Sequence, residues 1–165
     1  MTEQALYDYA VSFLAKKDYA SGALRKMLKR ESEDEELIEA VMEKLLSHHY
    51  VDDSRLIEKE LQKQVNKLHG PTRIKQELRQ KGLDSLLIEQ AIEDLDVDWF
   101  EICQQAKEKK FSDTLPSDAK EKAKMVRYLQ YRGHNMPVIM ETLNSNWQGQ
   151  IQLDFGNKKA VIPWK

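Results

Sequence analysis

Glycine and proline are scarce in this chain, at 6 and 4 of 165 residues, which argues against an all-β fold built on many tight turns. A single cysteine, Cys103, excludes an internal disulfide and suits a reduced cytosolic setting. No basic segment followed by an apolar run opens the sequence, so no secretory leader is expected. No stretch approaches the roughly 18 apolar residues of a membrane-spanning helix, and a cytoplasmic protein with no membrane contact is the expectation. Net charge is only −2, so there is no global electrostatic reason to coat nucleic acid. Any such contact needs a locally basic face, or a partner that already holds the strand. Catalytic constellations are missing as well. No Gly-rich phosphate loop is present. His48 and His49 stand near Asp52 and Asp53, but adjacent histidines diverge on a helix and no H-x₃-H pair completes a metal site, so a helix-terminal polar cluster is expected there. Cys103 shares an apolar stripe with Ile102 and Ala106 and reads as a buried thiol. No enzyme, metal or cofactor is expected.

What the chain has is helix-forming material. Charged residues make up 33% and hydrophobic residues 41%, with Lys, Glu, Leu, Gln and Ala abundant. Leu6, Tyr9, Ala10, Phe13 and Leu14 form one stripe of a first helix. Ser21 is placed to cap a short second helix carrying Leu24, Met27 and Leu28. Ser32-Glu33-Asp34-Glu35 has the form of a capping box opening a third helix with Leu37, Ile38, Val41, Met42 and Leu45. The punctuation then recurs. A helix starts near Ser54. Gly70-Pro71 breaks the chain and restarts it with proline in a first turn, Gly82 stops that helix, and Asp84 caps the next. Asp98 caps a seventh helix, Gly133 ends the eighth, and Asn135 caps the last, with Pro137 in its first turn.

This recurrence is a repeat. Shifting the chain by 50 residues places Leu24, Leu28, Ile38, Met42 and Leu45 on Ile74, Leu78, Ile88, Ile92 and Leu95. A further shift of 51 places Leu78, Gly82, Ile88 and Ile92 on Leu129, Gly133, Ile139 and Leu143. The predicted fold is all-α, with three tandem three-helix repeats over 1–52, 53–97 and 98–145, stacked into an elongated curved rod. The last segment, 146–165, breaks the pattern. It alternates with period two around Gly156-Asn157 and reads equally as a β-hairpin or an extended tail.

The near-neutral total hides blocks of charge. Glu31 to Glu43 and Asp84 to Glu101 are acidic, whereas Lys63 to Lys81 and Lys107 to Arg132 are basic. The second helix of each repeat carries the cations. Arg25, Lys29, Arg73, Lys75, Arg79, Lys81, Lys124, Arg127 and Arg132 are therefore the candidate partner-binding residues, expected along one face. Gly70, Pro71, Gly82 and Gly133 are the candidate structural positions. Any one of these helices alone is equally well an ordinary solvated face with pairs such as Glu77–Lys81. Tyr128 and Tyr131, flanked by Arg127 and Arg132, suit either base stacking or packing on a neighbouring helix.

One segment is distinctive. Gly70-Pro71-Thr72-Arg73-Ile74-Lys75-Gln76-Glu77-Leu78-Arg79-Gln80-Lys81-Gly82 resembles the G-P-x-R-I-x-x-E-L-x-x-K-G signature of the RecX family. Tyr50-Val51-Asp52-Asp53-Ser54-Arg55 resembles that family's Y-L-D-D-x-R segment. Lys16 to Ala20 resembles the end of its first helix, and Asp98-Trp99, Lys110-Phe111 and Lys122 to Gly133 resemble its third repeat. The resemblance spans roughly residues 5 to 145. It implies a three-repeat helical modulator of the RecA recombinase in DNA repair and the SOS response. Such a protein binds the groove of the RecA–single-stranded DNA filament as a monomer and suppresses ATPase, strand-exchange and co-protease activities. The alternative is a helical-repeat protein that binds DNA directly through its basic face.

Overall fold

Short polar side chains decide where the helices begin. In the computed structural model, which describes residues 1–144, the helices are α1 (Glu3–Leu14), α2 (Ser21–Glu31), α3 (Glu35–Ser47), α4 (Asp53–Asn66), α5 (Pro71–Gln80), α6 (Ser85–Asp94), α7 (Trp99–Phe111), α8 (Ala119–Tyr131) and α9 (Met136–Leu143). Among the described residues there is no strand. The expected hairpin or tail over 146–165 lies outside them. The carboxylate of Asp84 accepts from the Leu86 and Leu87 amides, and that of Asp98 from Phe100 and Glu101. These caps satisfy amides that the helix itself leaves unpaired. Pro71 opens α5, as expected.

Three expected caps are corrected. Asp34, not Ser32, caps α3. Its carboxylate accepts from Glu36 and Leu37, while the Ser32 hydroxyl accepts from the Asp34 amide. Two acceptors in series displace the capping box because Asp34 stands one residue before the helix. Ser21 is the first residue of α2 rather than its cap, and it donates to Asp53 instead. Asn135 stands at the cap position of α9 without bonding its amides, since its side chain accepts from the Thr72 hydroxyl.

The helix ends repeat one device. Gly82 and Gly133 follow α5 and α8 with φ of +90° and +96°. In each case the next amide reaches back five residues, Leu83 to the Leu78 carbonyl and His134 to that of Leu129. This is the left-handed close that glycine permits most cheaply. The same turn closes α3 and α4, where His49 and Leu68 occupy the left-handed position at φ 61° and 64°. Such residues hold about 1 kcal/mol of strain or more.

Burial follows the repeat. Leu24, Ile74 and Met125 are buried, as are Leu28, Leu78 and Leu129. So are Ile38, Ile88 and Ile139, and Met42, Ile92 and Leu143. One hydrophobic pattern thus serves three successive helix triplets. Contacts divide the chain into two compact units. One comprises Met1–Glu60 with Glu77–Ala91, and the other Leu61–Gln76 with the chain from Ile92 onward. In the first, α1, α2 and α3 close on Leu6, Leu24, Leu28, Ile38, Met42 and Leu45. In the second, α7, α8 and α9 close on Cys103, Met125, Leu129, Ile139 and Leu143. No described helix is long and apolar enough to cross a membrane.

Candidate partner-binding surface

The cations of the second helices stand beside a joint that is made twice, once in each unit. In the first unit, the turn after α5 abuts the first turn of α2. A Cβ on Gly22 would lie 2.5 Å from the Gly82 carbonyl oxygen, and one on Gly82 would lie 2.7 Å from the Ala23 amide nitrogen. In the second unit, the turn after α8 abuts the first turn of α5. There the Gly70 amide donates to the Arg132 carbonyl at 2.8 Å and the Thr72 amide to the Gly133 carbonyl at 3.2 Å. A Cβ on Gly133 would overlap Arg73. The repeat register explains the likeness, because it aligns Gly22 with Thr72, Ala23 with Arg73 and Gly82 with Gly133. Each joint sets the carbonyl end of one helix against the amide end of another, so opposite ends of two helix dipoles meet.

Side chains fasten both joints. In the first unit, the Asp53 carboxylate accepts from the Ser21 amide at 2.8 Å and from its hydroxyl at 2.6 Å. Lys59 pairs with Asp18 at 3.1 Å. In the second unit, the Arg132 guanidinium donates to the Lys67 carbonyl, and the His134 ring bonds the Leu68 carbonyl at 3.1 Å. His134 is buried. The carbonyl can only accept, so Nε2 carries a proton, and Nδ1, buried without a partner, has no acceptor for a second one, which favours the neutral ring. Burial pushes the His134 pKa down to about 4, with the nearby Arg132 charge adding to the fall and the Leu68 carbonyl opposing it. Burial likewise pushes the Cys103 thiol up to about 11, which fits the expected inert core cysteine.

The nine candidate cations divide by how they are used. Arg25 is half-buried and pairs with Glu39 of α3. Arg73 lies with its guanidinium 5.0 Å from the centroid of the Tyr131 ring, and Arg132 lies 5.9 Å from that of Tyr128. Lys81 reaches the buried Glu60 carboxylate at 3.8 Å. Lys75 is half-buried, whereas Lys29, Arg79, Lys124 and Arg127 are exposed. Lys29 and Arg79 belong to the first unit, and Lys124 and Arg127 to the second. The two tyrosines separate as well. Tyr128 packs edge-on against Phe111 at 5.4 Å, while Tyr131 is 73% exposed.

Reading the sequence assigned Gly82 and Gly133 to helix stops and Gly70 to a break, and missed that they are also the close-packed faces of the joints. Gly22 was the available clue. A glycine inside a helix costs about 1 kcal/mol against alanine, so it points to a close neighbour.

Comparison with known proteins agrees with this repeat. Residues 52–92 match the family model of the RecX second three-helix domain, and residues 96–143 that of the RecX third three-helix domain. The chain is 40% identical over 139 residues to the regulatory protein RecX of Acinetobacter baylyi, covering 84% of this chain and 86% of that one. It is 39% identical over 135 residues to the regulatory protein RecX of Vibrio parahaemolyticus, covering 82% and 87%. The crystal structure of RecX from Lactobacillus salivarius has the same fold, with a TM-score of 0.73 at 22% identity over 87% of this chain and 95% of that one.

Proposed function

The chain belongs to the RecX family of regulatory proteins, and from that premise we propose that it restrains the RecA recombinase. It does so by lying in the groove of the filament that RecA forms on single-stranded DNA. Bound there as a monomer in the cytoplasm, it slows ATP turnover, strand exchange and the co-protease activity of the filament. It acts by occupancy, with no chemistry of its own. The observation that carries this reading is the placement of Lys29, Arg79, Lys124 and Arg127. All four are exposed and all four come from second helices, so each triplet offers cations to the partner from the same element. Cations so placed speed and orient association with an acidic or DNA-laden partner. Of the remaining candidates, Arg25, Arg73, Lys81 and Arg132 are engaged within the chain, and Lys75 is half-buried.

The test is DNA-dependent ATP turnover by RecA with this protein added well below one copy per RecA subunit. The expected result is inhibition at that substoichiometric level, because one bound regulator blocks more than one subunit. Undiminished turnover at equimolar protein would reject the reading.

A further inference from the structure

The exposed face of α8 presents a stripe that the joints leave unused. Lys120, Lys124, Arg127 and Tyr131 follow one another at spacings of four, three and four residues, which sets them on one side of the helix. All four are exposed, while Met125 and Leu129 on the other side are buried. The three cations make no ion pair with a described residue. The stripe runs for ~16 Å at 1.5 Å per residue. At its end Tyr131 keeps 73% of its surface in solvent, although Arg73 from α5 lies over the ring at 5.0 Å. The ring is therefore held on one face and open on the other.

We propose that this stripe is a site for single-stranded nucleic acid, in which Lys120, Lys124 and Arg127 take phosphates and the open face of Tyr131 takes a base. A groove of cations with an aromatic platform is how unpaired strands are gripped without sequence preference. A duplex keeps its base faces stacked and has none to offer. An acidic protein surface would also satisfy the cations and pack on the ring, but it would bring no affinity for an isolated oligonucleotide, which the titration reads. The inference rests on the filament reading for the source of the strand, which is the DNA that RecA holds, while the contact itself is direct.

Fluorescence anisotropy of a labelled oligothymidylate, titrated with the full chain at several salt concentrations, tests the site. Tyr131→Ala should weaken binding about tenfold with the salt slope unchanged. Tyr131→Phe should bind as the parent does, because the ring and not the hydroxyl stacks. Lys124→Gln with Arg127→Gln should flatten the slope of log affinity against log salt by about 1.4, at about 0.7 per phosphate on a single strand. Parent-like binding by Tyr131→Ala, equal affinity for a duplex of the same length, or no binding by the parent chain would each overturn the site. RecA ATP turnover measured alongside separates the two readings. Inhibition without oligonucleotide binding leaves the filament reading standing and removes this one. Lost inhibition by Tyr131→Ala with unchanged oligonucleotide binding assigns the surface to protein contact and also overturns it.

Discussion

His134 allows the sharpest test of the joint in the second unit. Its ring is buried, its Nε2 is committed to the Leu68 carbonyl, and its Nδ1 has no partner to receive a proton. The folded chain therefore resists protonation down to a pKa of about 4, against 6.5 for the unperturbed group. The unfolded chain takes up a proton as pH falls below 6.5, and the folded chain does not until about 4. Stability contributed by the neutral ring is thus complete above pH 6.5 and is lost as pH falls from there to about 4, with no further loss below. The gap corresponds to about 3 kcal/mol at 1.36 kcal/mol per pKa unit. His134→Gln keeps a donor for the Leu68 carbonyl and cannot be charged. Urea unfolding followed by helicity, run on both chains between about pH 7.5 and pH 4, isolates the contribution of this ring from the general acid response of carboxylates. The parent should lose roughly 2–3 kcal/mol more than the variant over that range. Curves that stay parallel would refute a buried neutral imidazole at this joint.

Three further outcomes follow from the same geometry. Gly82→Val should lower stability by roughly 2–4 kcal/mol, because a β-branched residue is strained at positive φ and its Cβ strikes the first turn of α2. Thermal unfolding measures this, and an unchanged Tm would contradict the joint. His49→Gly should raise stability by about 0.5–1 kcal/mol, since the left-handed turn after α3 then costs nothing in side-chain strain. A lower Tm would show that the exposed ring contributes more than its backbone conformation costs. Reversing Lys29, Arg79 and Arg127 to Glu together should abolish inhibition of RecA while the circular dichroism spectrum is retained. Full inhibition by that variant would remove these exposed cations from the contact.

The fold was legible because hydrophobic period and helix punctuation agree. Leu24, Ile74 and Met125 hold one buried position three times, and the expected stops at Gly82 and Gly133 take the positive φ that makes glycine necessary. The caps were less legible where two candidates stood side by side. Ser32 and Asp34 both have the chemistry, and backbone position alone decides between them. Ser21 and Asn135 look like caps in sequence, but their partners, Asp53 and Thr72, lie 32 and 63 residues away. Local pattern carries no information about such contacts. The candidate surface was half-visible for the same reason. Residue type marks Arg25, Arg73 and Arg127 alike, yet only the fold engages the first with Glu39, lays the second over Tyr131 and leaves the third in solvent.

A joint that mates the tail of one helix with the head of another carries a hazard, since unlike mating ends on separate molecules can propagate into fibres. Here the two register positions that find no mate within the chain are both altered. The residue in register with Gly82 at the close of α2 is Ser32, whose backbone is extended at φ −150°, so no glycine turn presents its carbonyl. In the second unit, the register would begin α8 at Lys122, but the helix starts at Ala119 and Asp118 occupies the Glu121 amide. An extra turn of α8 thus stands where the register would place the open half of the joint. The two half-joints that the repeat leaves over are thus not offered in the form that α2, α5 and α8 use within the chain.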